Sequence, residues 1–280
     1  MSKKTLYVSD LDGTLLGTDS RVSEKSASIV SELSRRGALI TVATARTPAT
    51  VVPLLKGIYT TPPAIVMTGC AMWDRSRECF FDTHFLPEID VVRALDICSR
   101  YGVYPFVYTM APGGNRLEVY HAPAKMNKAE ESFYLERSRL ALKRFHLGTP
   151  PPDRARTDSM LFYAMGTSDN IVSAYREIMD DTDCSVCCYP DIFNPSVHNL
   201  EIFPPGVSKA AAIRRLAAAT GVERIVVFGD SLNDLPMLGI ADLGVAVENA
   251  LPEVKEAADV VIGPNYTDSV ARFIEEDFGM

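Results

Sequence analysis

The stretch that most constrains this chain is Leu6-Tyr7-Val8-Ser9-Asp10-Leu11-Asp12-Gly13-Thr14-Leu15. A short apolar run reads as a buried strand. It ends in two carboxylates one residue apart, followed by Gly13. Residues i and i+2 of an extended segment face the same way, so Asp10 and Asp12 are expected to share one small volume at the strand's carboxyl end. Open α/β sheets place their ligands at that edge. Two carboxylates about 4 Å apart repel by ~4 kcal/mol at an effective dielectric of 20. A shared proton would offset this, and so would a hard cation such as Mg2+. Asp-x-Asp-Gly is also ordinary turn chemistry, so the remainder of the chain must decide.

The pattern after this stretch is α/β. Ser23 caps an expected helix to Arg36, and Ala38–Val42 reads as a second buried strand running into Ala43-Thr44-Ala45-Arg46-Thr47-Pro48. Pro48 suits the first turn of another helix, and Ala64–Met67 reads as a third strand. Strand, helix, strand, helix, strand implies a parallel sheet with right-handed crossovers. From about Leu86 the texture changes. A helix over 87–100 precedes strands at 103–109 and 116–121 that flank Ala111-Pro112-Gly113-Gly114-Asn115, a hairpin loop. Helix over 127–145, strand over 160–165, helix over 169–179 and strand over 184–188 complete an α+β module. At Leu200-Glu201-Ile202-Phe203 the first pattern is expected to resume, with Lys209 in the first turn of a helix and Arg224–Phe228 a buried strand ending in Gly229-Asp230-Ser231-Leu232-Asn233-Asp234. The expected architecture is a Rossmann-like doubly wound parallel sheet core, residues 1–85 and 196–280, interrupted by an inserted α+β cap domain, residues 86–195.

Composition narrows the partners. With 280 residues, 47% of them apolar, the chain can build one large or two modest cores. Net charge is -8 and no basic stripe stands out, which argues against nucleic acid as a partner. No run approaches the ~18 apolar residues of a membrane span, and Met1-Ser2-Lys3-Lys4 leads straight toward a strand without a signal-peptide apolar region. Six cysteines, among them Cys184, Cys187 and Cys188, form no paired framework. These features point to a cytoplasmic protein. Nothing in the sequence fixes an oligomeric state.

Four clusters then require one explanation: Asp10/Asp12, Thr44/Arg46, Lys209, and Asp230/Asn233/Asp234. The strand-end clusters fall on one edge of one parallel sheet. Together they supply carboxylates for a metal, a hydroxyl and amides for phosphate oxygens, and a lysine for charge, which are the parts of a phosphoryl-transfer site. Gly229-Asp230-Ser231-Leu232 also spells a serine-esterase signature. That signature requires a late histidine, and none follows His198.

On these motifs the chain resembles the haloacid dehalogenase superfamily, specifically the Cof-type phosphatases with a large cap between the second and third motifs. Asp10-Leu11-Asp12-Gly13-Thr14-Leu15 matches the first motif, Thr44 the second, Lys209 the third, and Gly229-Asp230-Ser231-Leu232-Asn233-Asp234 the fourth. The resemblance implies a Mg2+-dependent phosphatase acting on a small phosphorylated metabolite. Asp10 would be the nucleophile and Asp12 the acid and base. The metal would be held by Asp10, the Asp12 backbone carbonyl and Asp230, with Asp234 a nearby ligand or acting through water. Phosphate oxygens would be held by Thr44, Lys209, Asn233 and the amides after Asp10, starting with Leu11, with Ala45 beside them. Sugar phosphates are the leading substrates, with pyridoxal phosphate and flavin mononucleotide as alternatives. A phosphotransferase or phosphomutase, or a non-catalytic binding module, would use the same residues. Two departures stand out: Ala45 replaces a common glycine, where φ > 0 would be costly, and Thr68-Gly69 replaces a common Asn-Gly. Arg46 either meets the leaving group or braces its helix.

Overall fold

The computed structural model describes residues 3–191 and 194–279, so Met1 and Ser2 of the expected lead-in lie outside the described residues. The chain forms two compact units, Met1–Glu78 with Ser208–Met280, and Cys79–Val207.

The first unit is built on a five-stranded sheet in the order Val260–Ile262, Leu243–Val247, Arg224–Gly229, Thr5–Ser9, Leu39–Val42. Every pair is parallel. Thr5–Ser9 lies between two neighbours, with Ser9 opposite Phe228 on one side and Val42 on the other. Its Leu6, Tyr7 and Val8 are buried, which is why it reads as a continuous apolar run. Helix Glu24–Arg35 starts where Ser23 Oγ accepts from Ser26 N at 2.9 Å. It packs with Ser269–Gly279, while Lys209–Thr220, Leu235–Leu238 and Pro252–Ala257 form a second group against the sheet. This is the doubly wound core expected from the strand and helix alternation.

The third expected strand differs. Ala64–Val66 joins the parallel sheet through one bridge, Ala43 to Ile65, and Thr44 N donates to Ile65 O at 3.1 Å. It then pairs antiparallel with Ala71–Asp74. The turn between them holds Met67 and Thr68 at φ of 52° and 57°. Asparagine adopts this left-handed region more readily than threonine.

The second unit is a mixed six-stranded sheet in the order Ser185–Pro190, Val197–Phe203, Ser159–Thr167, Phe106–Met110, Leu117–His121, Lys143–Leu147. All pairs are antiparallel except the last. Helices Glu88–Arg100 and Ser168–Asp181 bury Val91, Ile97, Ile171 and Ile178 against Val107, Phe162, Leu200 and Ile202 of one face.

Two expectations are corrected here. The helix expected over 127–145 ends early: Lys128–Arg137 is helical, capped reciprocally by Asn127 and Glu130. Leu142 then takes φ of 63°, and Lys143–Leu147 becomes a strand parallel to Leu117–His121. Likewise Val197–Phe203 belongs to the mixed sheet rather than resuming the parallel one. Leu200 and Ile202 join the helix-covered core, whereas Asn199 and Glu201 alternate onto the other face. That two-residue period marks an antiparallel sheet whose faces differ.

Candidate active site

The carboxyl edge of the parallel sheet gathers the charged residues. Asp10 follows the Thr5–Ser9 strand directly, held there by its N–H donating to Phe228 O at 2.9 Å. Asp230 follows the neighbouring Arg224–Gly229 strand. Lys209 opens the Lys209–Thr220 helix behind the Ser208 cap, whose Oγ accepts from Ala211 N. Its Nζ lies 2.7 Å from Asp10 Oδ1 and 2.7 Å from Asp234 Oδ1. All three side chains are buried.

Asp234 is the most enclosed member. Its Oδ2 accepts from Asp230 N at 3.0 Å, Ser231 N at 3.2 Å and Ser231 Oγ at 3.3 Å. Both its oxygens are therefore engaged by this chain. Gly229 makes room for it: a Cβ there would lie 2.6 Å from Asp234 Cβ. Asp230 is oriented by Thr14 Oγ1, which donates to its Oδ1 at 2.8 Å.

Oxygens of Asp10, Asp230 and Asp234 lie within 4.8 Å of one another. One lysine serves three carboxylates, and the charge balance shows in their acidity. Burial pushes Asp10 up to about 7 against the pull of Lys209, with Asp234 and Asp230 adding to the rise. Burial likewise pushes Asp230 up to about 6, opposed by the Thr14 hydroxyl and reinforced by Asp234. Burial works against the charged form of Lys209, but Asp10 and Asp234 together hold its pKa above the usual lysine value. An all-oxygen donor set with surplus negative charge suits a hard divalent cation. The cluster fits Mg2+. Among the described residues it is the one such group of three, and Cys184, Cys187 and Cys188 are free thiols outside it.

Asp12 departs from the two-residue alternation. The strand ends at Ser9, and Leu11–Leu15 is a tight turn with Gly13 at φ of 76°. The Asp12 carboxylate is therefore outside the Asp10 cluster. It is held by Arg46, with Nε to Oδ2 and Nη2 to Oδ1 both 2.6 Å. Arg46 thus has a partner that neither of its expected roles supplies, and that bond raises its pKa further.

The remaining expected residues sit as follows. Thr44 is buried, and its Oγ1 accepts from Arg46 N at 3.2 Å. Thr68 N donates to Thr44 O and Met67 N to Arg46 O, both at 3.0 Å, so the strained turn props this strand end. Ala45 does not have positive φ, so replacing glycine there carries none of the expected backbone cost. Asn233 is exposed and its Oδ1 accepts from Ser231 Oγ at 2.8 Å. Leu11 is fully buried. Three residues to which sequence reasoning gave no role frame the turn. Thr14 orients Asp230, Asn249 Nδ2 donates to Gly13 O at 2.8 Å, and Asn265 Nδ2 donates to Leu16 O at 2.7 Å. The Asp-Gly-Thr order held the signal for Thr14, but the asparagines lie more than 230 residues from their partners.

Residues 7–274 match the family model described as haloacid dehalogenase-like hydrolase. The chain belongs to that family. The haloacid dehalogenase fold and the aspartate cluster make it a Mg2+-dependent phosphatase of this type. It is 28% identical to the 5-amino-6-(5-phospho-D-ribitylamino)uracil phosphatase YitU of Bacillus subtilis, covering 100% of this chain and 99% of the relative. It is 24% identical to the pyridoxal phosphate phosphatase YbhA of Escherichia coli, covering 95% of each. Its fold resembles a haloacid dehalogenase-like hydrolase from Bacteroides thetaiotaomicron, with a TM-score of 0.73 at 22% identity over 98% of this chain and 99% of that one. No helix among the described residues is long and apolar enough to cross a membrane.

Proposed function

We propose that this haloacid dehalogenase-type phosphatase hydrolyses small phosphomonoesters through an aspartyl-phosphate on Asp10. The observation that carries the reading is the Lys209 bridge between Asp10 and Asp234, which fixes one Asp10 oxygen and leaves Oδ2 without a hydrogen bond among the described residues. In the first step that oxygen bonds to phosphorus, the bond to the leaving oxygen breaks, and Asp12, having left Arg46 and taken a proton from solvent as substrate binds, gives that proton to the alkoxide. In the second, water attacks phosphorus, Asp12 takes the proton, and the Asp10–phosphorus bond breaks.

In this reading Asp10, the Asp12 backbone carbonyl and Asp230 would hold the cation, with Asp234, whose oxygens bond Lys209 and the turn, beside them or acting through water. Asp234 therefore holds Lys209 and Asp230 in place. When bound, Mg2+ supplies positive charge that offsets the repulsion between a phosphate and an anionic nucleophile. Lys209, the Thr44 hydroxyl, the Asn233 amide and the backbone at Leu11 and Ala45 take the phosphate oxygens. Arg46 holds Asp12 between the two proton transfers.

The leading substrate is a sugar or polyol phosphate. The substrate named for the Bacillus subtilis relative carries its phosphate on a ribityl chain, and that relative is matched along its whole length. Pyridoxal phosphate, named for the Escherichia coli relative, and flavin mononucleotide are the next candidates. The test is phosphate release from a panel of sugar phosphates, ribityl phosphates, pyridoxal phosphate, flavin mononucleotide and nucleotides, with Mg2+ and with EDTA. Metal-dependent release in the absence of any acceptor alcohol is the expected result. Release only when an acceptor is added would instead favour a phosphotransferase.

A further inference from the structure

Among the described residues, the inserted unit holds a nearly buried lysine that has no counter-ion. Lys143 opens the edge strand Lys143–Leu147, opposite Leu117. Its side chain is packed among aromatic rings, with the residue only 6% exposed. Nζ lies 5.2 Å from the Tyr108 ring centroid, 5.7 Å from that of Phe145 and 5.8 Å from that of Phe133. Among the described residues it has no hydrogen-bond or ion-pair partner.

A second cation shares the same ring. Arg137 ends the Lys128–Arg137 helix, and its Cζ lies 4.3 Å from the Phe133 centroid. Its ion-pair partner is Glu136, whose side chain is mostly exposed. Burial, with the Arg137 charge adding to it, pushes Lys143 down to about 7. Aromatic faces offset part of the cost of burying an ammonium. They provide no strong acceptor for its three N–H donors. Packing alone does not account for the residue, since methionine or leucine would fill a ring-lined space without burying charge.

We infer that Lys143, with Arg137 beside it, forms an oxyanion-binding site of the inserted unit, which takes the carboxylate or phosphate group of a small molecule. An oxyanion there accepts from Lys143 Nζ, balances two like charges, and lets the ligand's body lie against the rings. The site stands on the inserted unit alone and does not depend on the chemistry at Asp10.

Titration calorimetry on the full chain with Mg2+ tests it, using benzoate as a carboxylate probe and phenylphosphonate as a phosphate-like one. Saturable binding is expected for at least one probe, and the tighter of the two identifies the anion. Losing a charge-assisted hydrogen bond weakens binding about tenfold or more, so Lys143→Met is expected to raise that Kd by this factor, while Lys143→Arg retains binding. Phenylphosphonate bound elsewhere persists in Lys143→Met and is subtracted. No saturable binding of either probe to the wild-type chain, or an equal Kd in Lys143→Met, overturns the site. Should Lys143→Met not fold, Arg137→Gln substitutes a partly exposed side chain. It is expected to weaken the same probe several-fold, and wild-type affinity in that variant overturns the site by itself.

Discussion

Arg46 grips Asp12 by both carboxylate oxygens, at 2.6 Å each, from a strand end 34 residues along the chain. Side-chain exposures of 31% and 51% place the pair in solvent contact, where an ion pair contributes about 0–1 kcal/mol to stability. Its consequence is positional. Arg46→Gln is expected to leave urea stability nearly unchanged and to lower kcat by about tenfold, a fraction of what a positioned acid–base group supplies. Steady-state kinetics beside an unfolding curve check this. A loss of stability with kcat intact would assign Arg46 a structural role.

Asp10→Asn should keep the fold, since it removes one of three mutually repelling carboxylates near Lys209. It should lower turnover at least about a thousandfold, as expected when a nucleophile is lost. Phosphate release measured together with far-UV circular dichroism separates a lost reaction from a lost fold. The same cluster predicts that Mg2+ raises the thermal midpoint of the wild-type protein. A ligand at about 100 times its Kd contributes ~2.7 kcal/mol, and Asp230→Asn should blunt that gain.

Gly13→Ala should damage the site through Asp230. Gly13 has φ of 76°, and an added Cβ would lie within 2.8 Å of Asp230 Cγ. Backbone strain of this kind costs about 1–3 kcal/mol, and the collision displaces a carboxylate of the metal cluster. Weaker Mg2+ dependence of the melting temperature, together with lower stability, is the expected signature. A variant that loses stability but keeps wild-type Mg2+ response would separate the two effects.

Thr68→Asn is expected to stabilise the first unit. Thr68 is β-branched and sits at φ of 57°, a conformation asparagine adopts more easily. The gain should be about 1 kcal/mol, read from chemical unfolding at constant pH. No gain would mean that the Thr68 side chain contributes something asparagine cannot.

Glu130 is expected to make the stability of the inserted unit depend on pH. Burial pushes it up to about 7, although the backbone N–H groups of Asn127 and Met165 donate to it and oppose the rise. Its folded pKa lies above the ordinary value of 4.5. Its contribution is therefore full below about 4.5 and is lost as pH rises through about 7. Glu130→Gln keeps only one acceptor for these two N–H donors and should start below wild type near pH 5, but it should gain on wild type between pH 5 and pH 8 by on the order of 2–3 kcal/mol. Urea unfolding at the two pH values checks this, and a gap that does not change with pH would contradict it.

The parallel core was legible because its strands are buried on both faces, so their apolar runs stand out, and their ends carry polar residues that packing does not need. Lys209 opens a helix rather than ending a strand, so by itself it reads as an ordinary first-turn lysine, and only the other clusters and the family resemblance marked it. Less visible was anything set by backbone direction after a strand ends. Asp12 follows Asp10 by two residues, yet the turn at Leu11 sends its carboxylate to Arg46 rather than to Asp230. Lys143–Leu147 lay hidden behind a helix because the five residues that separate it from the end of Lys128–Arg137, Ser138 to Leu142, include no breaker, and the left-handed conformation falls on Leu142. Leu142 carries no glycine or asparagine to mark the break. Leu200–Phe203 looked like a core strand because its apolar residues are as buried as those of the parallel sheet. The register that places it in the mixed sheet depends on Ser159–Thr167, far earlier in the sequence.

Thr5–Ser9 pairs on one side with Leu39–Val42 and on the other with Arg224–Gly229. On a ribosome, the first pairing can form early, but the second edge waits for the whole stretch from residue 43 to residue 223 to be made. At about 5–20 residues per second that wait is roughly 10–40 s. During it a strand built from Leu6, Tyr7 and Val8 offers its bare backbone to any other chain. The nascent protein therefore has a vulnerable interval written into its topology, one that ends when the strand bearing Asp230 at its tip docks.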